Sequence, residues 1–186
     1  MNKFKIRRKI LNLRKRKLNK NTRINIYKLF NFLKKKKLTG ISVGGYYPVN
    51  YEIDDLEILK KFEEKNYKIS LPVIKNNNEM DFYAWSSNNI LKINKYGIPE
   101  PEENKIIYPD ILLVPIVAFD NNLYRIGYGG GYYDRYIQKL IKKKKFLSIG
   151  LAASFQKIKK IPHNKYDKRL DVIFTEKHIL ILIFFF

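Results

Sequence analysis

The stretch DILLVPIVAF, residues 110–119, is almost unbroken apolar chain, and RIGYGGGYYDRYI, residues 125–137, follows it closely. A strand that is apolar on both faces has to be covered on both. Tyr133, Tyr136, Ile137, Leu140 and Ile141 recur at helical spacing, so a helix begins where the glycines end. Strand, glycine loop, helix is the order of an α/β domain, and the same alternation continues on either side. ISVGGYY (41–47), KISLPVI (68–74), MDFYAW (80–85), FLSIGLA (146–152) and DVIFT (171–175) read as strands. DDLEILKKFEEKN (54–66) reads as a helix, with Asp54 and Glu57 as a capping box and Ile58, Leu59 and Phe62 as its apolar stripe. NNN at 76–78 marks a turn, and the prolines of YGIPEPEE (96–103) mark an extended loop. Pro115 ends strand pairing near Val114. From Lys3 to Lys36 the chain reads as one or two basic amphipathic helices, with Leu29, Phe30 and Leu33 on one face. The predicted class is therefore α/β with a largely parallel central sheet and a basic N-terminal helical region, forming one domain over residues 1–186.

The formal net charge of +21 points on its face to a polyanionic partner such as nucleic acid. Lys, Ile and Asn supply roughly two-fifths of the chain, far above ordinary usage. All three have codons that can be written almost wholly in A and T. An AT-rich genome accounts for the lysines without a nucleic-acid ligand, so no specific nucleic-acid partner is expected. The chain has no cysteine, which excludes disulfides, thiolate metal sites and cysteine nucleophiles. A cytoplasmic location is the expectation. No apolar run reaches the ~20 residues of a membrane span. ILILIFFF at 179–186 is expected to be a buried final strand with an apolar end. The first 51 residues carry no acid, and Glu52 is the first. That basic start is read as folded helix rather than a targeting segment.

The glycine stretch asks for a ligand. A helix N-terminus presents unpaired N–H groups and the positive end of the helix dipole, which together attract phosphate. Glycines permit positive φ and a close backbone approach. Arg125 and Arg135 add charge suited to bidentate phosphate contact. The spacing GxGGG matches neither the Walker A loop nor the dinucleotide GxGxxG pattern. Asp134 in the first helical turn either complements the helix dipole or holds a divalent cation against phosphate oxygens, and spacing alone leaves both open.

DILLVPIVAFDNNLYRIGYGGGYYDRYI, residues 110–137, resembles the signature of the 5-formyltetrahydrofolate cyclo-ligase family. KFKIR (3–7), YEID (51–54), ISLPVI (69–74), MDFYAW (80–85), YGIPEP (96–101), IGLAASFQ (149–156) and YDKRLDVIFTE (166–176) follow in that family's order. The resemblance implies a three-layer α/β sandwich. It also implies closure of 5-formyltetrahydrofolate to 5,10-methenyltetrahydrofolate with ATP and Mg²⁺, through a phosphorylated formyl group.

By the same resemblance, Lys3, Phe4, Lys5, Ile6 and Arg7 are expected at ATP. Arg125, Ile126, Gly127, Tyr128, Gly129, Gly130, Gly131, Tyr132 and Tyr133 are expected to form the ATP loop. Arg125 and Gly129–Gly131 take the catalytic role, with the glycines also near the formyl group. Asp134 and Asp167 are the expected Mg²⁺ ligands. Glu52, helped by Tyr47, is expected to accept hydrogen bonds from the folate ring; the alternative is a solvated loop acid. Tyr83 and Trp85 line the folate pocket or are core aromatics, and Tyr128 and Tyr132 also touch folate. His163 and His178 are assigned no catalytic role, and His178 is expected at the surface. The chain departs from the family where Tyr166 precedes Asp167 in place of a frequent His, and where Asp81 stands in place of a basic residue. The partners implied are ATP and 5-formyltetrahydrofolate, and a monomer is expected. The competing readings are a basic nucleic-acid-binding protein and a folate-binding family member with reduced turnover.

Overall fold

The computed structural model describes residues 2–18, 22–36 and 41–182. In chain order its elements are α1 (Lys3–Lys17), α2 (Ile26–Lys35), β1 (Ser42–Gly44), α3 (Leu56–Glu63), β2 (Lys68–Ile74), β3 (Met80–Ala84), β4 (Lys92–Ile93), β5 (Pro99–Glu100), β6 (Ile111–Pro115), β7 (Ala118–Phe119), β8 (Arg125–Ile126), α4 (Tyr132–Ile141), β9 (Leu147–Leu151), β10 (Val172–Phe174) and β11 (Ile179–Ile181). The central sheet has the order β11-β10-β9-β6-β1-β2-β3. β10, β9, β6, β1 and β2 run parallel, while β3 and β11 pair antiparallel at the two edges.

The two-residue period of a strand sorts the long apolar run into two layers. Ile111 and Leu113 join Val43, Ile69, Leu71 and Ile149 on the face covered by Leu29 and Leu33 of α2 and Ile58, Leu59 and Phe62 of α3. Leu112 and Val114 point the other way and meet Tyr136, Ile137 and Leu140 of α4. The result is the three-layer sandwich. Complete burial of a leucine side chain such as Leu112 or Leu113 contributes roughly 1.5–3 kcal/mol. The α1 helix covers a satellite cluster in which Ile6 and Ile10 pack on Val117, Ala118 and Ile126 of the small β7–β8 ribbon. That docking brings the start of α1 to the glycine loop.

Four expectations need correction. The capping box at Asp54 and Glu57 does not form, because Asp55 is the N-cap and its Oδ2 accepts the Tyr46 N–H at 2.9 Å instead. Asp54 Oδ1 holds the Leu56 N–H at 3.0 Å. Pairing of the apolar run extends through Pro115, opposite Leu151, one residue past Val114. Ile141, the last residue of α4, lies 60% exposed rather than in the apolar stripe. The final strand is not buried: β11 is an edge strand with Ile179 and Ile181 exposed, and 183–186 lie outside the described residues. An edge strand covered on one side exposes alternate side chains, which a uniformly apolar sequence does not announce.

Candidate active site

The chain enters β2 on one side of β1 and β6 on the other, so the strand order reverses between β1 and β6. Loops leaving the C-terminal ends of these two strands diverge there, the usual ligand position in an open α/β sheet. The loop after β1 carries Glu52. The chain after β6 runs through the β7–β8 ribbon into the glycine loop.

The glycine loop is shaped by backbone that other residues resist. Gly129 has φ +116° and Gly131 has φ +69°. Gly131 is the N-cap of α4 in the left-handed region and supplies no side-chain cap, so the first-turn amides of α4 remain available to an anion. Arg7, one turn beyond Lys3 on α1, donates from Nε to the Gly127 carbonyl at 2.8 Å. A Cβ at Gly129 would sit 3.5 Å from the Arg7 guanidinium carbon. Lys3 Nζ reaches Asp167 Oδ1 at 2.5 Å. Burial by itself would raise the Asp167 carboxyl, but the Lys3 hydrogen bond, the Asn164 N–H and the Lys3 charge outweigh it and hold the carboxyl below its ordinary range. Arg125 is turned inward, its Nη1 bonded to Asp134 Oδ1 at 3.0 Å and to the Lys168 carbonyl at 3.1 Å.

Asp167 is placed by a buried carboxylate further back. Asp120, 1% exposed, accepts from Asn122 N and Tyr124 N with one oxygen and from Ile161 N with the other. This pins the turn of the β7–β8 ribbon to the segment that leads to Asp167.

Glu52 is buried, which removes the reading of it as a solvated loop acid. Its Oε2 accepts the Val49 N–H at 2.9 Å. Burial pushes its carboxyl up to about 7, against the opposing pull of the Val49 N–H, the Arg14 cation and the Tyr128 hydroxyl. Asp55, fully buried, also lies well above the ordinary range through burial. Among the described residues its Oδ1 has no hydrogen-bond partner, and neither does the buried hydroxyl of Tyr133.

A family model described as the 5-formyltetrahydrofolate cyclo-ligase family matches residues 1–176. The chain belongs to the 5-formyltetrahydrofolate cyclo-ligase family. A 5-formyltetrahydrofolate cyclo-ligase of Haemophilus influenzae is 30% identical over 144 residues, covering 74% of this chain and 75% of the relative. The solution structure of Aquifex aeolicus 5,10-methenyltetrahydrofolate synthetase superposes with a TM-score of 0.78 at 32% identity, over 97% of this chain and 93% of that one. The Mycoplasma pneumoniae 5,10-methenyltetrahydrofolate synthetase gives 0.72 at 24% identity, over 95% of this chain and 99% of that one, a likeness of fold.

Within the cyclo-ligase chain, the expected site residues separate into groups. Lys3 and Arg7 reach the glycine loop and its flank, whereas Phe4 and Lys5 are exposed and Ile6 is a core residue. Ile126 is buried in the same cluster. The hydroxyl of Tyr128 turns in and accepts from Arg14 at 2.8 Å. Tyr132 shares a 3.0 Å hydroxyl contact with Tyr96, tying the GIPEP hairpin of β4 and β5 to the start of α4. The lone hydroxyl of Tyr133 interacts electrostatically with Glu52 and Asp55, on the inner side of the loop.

Tyr47 is half-buried beside Tyr46, whose hydroxyl holds the Ile53 carbonyl at 2.7 Å. Trp85 packs on the α2–α3 side of the core. Tyr83 engages Lys75 and Glu103. Asp81 pairs with Lys139 at 2.6 Å, which gives this departure from the family a structural partner. His163 stacks on Tyr124 with centroids 3.7 Å apart, Tyr166 is 65% exposed, and His178 is at the surface. Arg14 and Asp55 escaped the sequence reading. The signal for Arg14 was a charge at the third position of the stripe Ile6, Ile10, Arg14.

Proposed function

We propose that this chain closes 5-formyltetrahydrofolate to 5,10-methenyltetrahydrofolate with ATP and Mg²⁺, releasing ADP and phosphate. The observation that carries the reading is the convergence, at the switch point of the sheet, of an uncapped helix N-terminus behind a glycine loop, its neighbours Lys3, Arg7 and two aspartates, and a buried glutamate. A formamide oxygen is a poor leaving group. The γ-phosphorus passes from ADP oxygen to the formyl oxygen, N10 adds to the formyl carbon and loses its proton, and the C–O bond breaks with phosphate departing. The substrates make and break every bond, so the protein's work is positioning and charge neutralisation.

Lys3, Arg7 and the first-turn amides of α4 receive the phosphates. Glu52 accepts hydrogen bonds from N–H groups of the folate ring, with Tyr47 beside it. Tyr128, Tyr132 and Gly129–Gly131 line the place where the nucleotide's terminal phosphate meets the formyl group. Among the described residues no group of three or more His, Asp or Glu side chains is arranged to hold a metal ion. Asp134 and Asp167 nevertheless suit Mg²⁺, which takes one or two carboxylates and completes its shell with phosphate oxygens and water. Asp134 Oδ2 accepts no hydrogen bond among the described residues, leaving a hard oxygen for a cation. Those two residues would hold the ion, which supplies positive charge to the nucleotide's phosphate oxygens when bound.

The test is direct. Purified protein with MgATP and 5-formyltetrahydrofolate is expected to develop the near-ultraviolet absorbance of methenyltetrahydrofolate. Folded protein that yields no such absorbance overturns the reading.

A further inference from the structure

Arg14 occupies a position where an amphipathic helix ordinarily places an apolar residue. Its stripe partners Ile6 and Ile10 are core residues, yet Arg14 is 1% exposed. Burying a guanidinium is far costlier than burying an apolar side chain of equal volume unless its donors are used. No carboxylate among the described residues lies within ion-pair distance of it. Instead its two terminal nitrogens serve three separate segments. Nη2 donates to the Ile116 carbonyl, just past the end of β6, where Gln156 Nε2 also donates at 2.6 Å. Nη1 donates to Tyr128 Oη at 2.8 Å in the glycine loop and to the Asn50 carbonyl at 3.4 Å in the Glu52 turn.

These segments follow β1 and β6, on the two sides of the point where the strand order reverses. The Glu52 turn is also under tension: Asn50 and Tyr51 are consecutive non-glycine residues at φ +49° and +59°. Such backbone persists only where its surroundings hold it, and it concentrates at functional sites. Arg14 grips that turn at its first left-handed residue. Val49 and Glu52 close the turn from the inside through the Val49 N–H and Glu52 Oε2.

We propose that Arg14 is a positioning residue for the cyclisation: its guanidinium locks the Glu52 turn to Tyr128 of the glycine loop and so sets folate in register with the nucleotide. This rests on the function proposed above. The charge has a second consequence. The groups facing Glu52 are Arg14 from α1, Tyr128 from the glycine loop, Tyr133 from α4, and Tyr46 and Asp55 from its own segment. Arg14 is the cation among them, and it favours the ionised glutamate.

The experiment uses the full-length protein and the variants Arg14→Lys, Arg14→Gln and Tyr128→Phe, with KM for each substrate, kcat, the pH profile of kcat/KM for folate, and thermal unfolding. Arg14→Lys keeps the charge and loses the fork. Its folate KM is expected to rise about tenfold or more with ATP KM within about twofold, and with its acid limb in place. Arg14→Gln loses the charge as well, so its acid limb moves to higher pH. Tyr128→Phe raises folate KM and, because its hydroxyl also favours the ionised glutamate, moves the limb to higher pH by less than Arg14→Gln does, and it carries the test should either Arg14 variant fail to fold. Folded variants whose two KM values change in parallel, or an Arg14→Gln limb that stays where wild type has it, overturn the role of Arg14. Wild-type protein that makes no methenyltetrahydrofolate overturns the parent function instead, and is recognised before any variant is compared.

Discussion

Arg125 donates from Nη1 to Oδ1 of Asp134 at 3.0 Å, and the same oxygen accepts the Lys168 N–H at 2.9 Å. One carboxylate oxygen therefore joins β8, the first turn of α4 and the segment that carries Asp167, while the other oxygen accepts no hydrogen bond among the described residues. Asp134→Asn keeps an acceptor oxygen and removes the charge. Its turnover is expected to fall on the order of a hundredfold, with the magnesium concentration for half-maximal rate raised. Magnesium titrations of wild type and variant decide it; an unchanged half-saturation point rules out Asp134 as a ligand. Asp134→Ala should also unfold more readily, by about 2 kcal/mol, because the Arg125 side chain is only 4% exposed and loses its carboxylate.

Glu52 makes the protein's stability depend on pH in a definite direction. Its folded carboxyl titrates near 7, raised from 4.5, so the unfolded chain ionises first as pH rises. The stability it contributes is complete below about 4.5 and is lost as pH climbs through about 7. Glu52→Gln stays neutral and keeps an acceptor for the Val49 N–H. It is expected to be more stable than wild type at pH 8, by up to roughly 3 kcal/mol, and nearly equal to it at pH 4. Denaturant midpoints at the two pH values measure this, and a difference independent of pH defeats it. The same variant should lose folate use more than ATP use.

Much of this architecture was legible because strong periodicity leaves few choices. The run Ile111–Val114 had to be covered on both faces, and α2, α3 and α4 cover it. The strand at Lys68–Ile74 and the helix after the glycines fell where alternation and helical spacing put them. What was not legible depends on contacts distant in sequence. Asp55 looks like any helix-start acid until Tyr46 is folded onto it. The inward turn of Arg125 needs Asp134 and Lys168 in place. Glu52 is readable as a folate acceptor only by family resemblance, with a solvated loop acid as the alternative, and the packing of its turn under Arg14 and Tyr128 is what buries it. A lysine-rich background hid Arg14 most effectively, since one more cation in α1 carries no weight by composition.

Gly131→Ala tests the loop's backbone. A residue other than glycine at φ +69° costs about 1 kcal/mol, and the new methyl would lie 2.7 Å from Arg135 Nη1. Arg135 then has to give up part of its hold on the Asn78 carbonyl, which it now contacts at 2.6 and 3.1 Å. A fall of about 1–2 kcal/mol in unfolding free energy is expected, with ATP KM raised because the amides at the start of α4 shift. Calorimetry and initial rates read the two effects, and an alanine variant matching wild type in both contradicts this account of the loop.

Lys3→Met tests the proposed nucleotide contact of Lys3 together with its hold on Asp167. In the folded chain Lys3 is the main influence lowering the Asp167 carboxyl against burial, which alone would raise it. A depressed folded carboxyl contributes stability above its unfolded titration and loses that contribution as pH falls through the folded one. Wild type should therefore be more stable than Lys3→Met at pH 7, and the gap should close as pH falls through the depressed titration of the folded Asp167 carboxyl. In turnover the variant loses a cation at the phosphates, so ATP KM rises and its salt dependence weakens, because one fewer screened attraction draws the nucleotide in. Folate KM should be almost unaffected, since Lys3 contacts the Asp167 side of the site rather than the Glu52 turn. A variant whose folate KM rises as steeply as its ATP KM would place Lys3 in a different role.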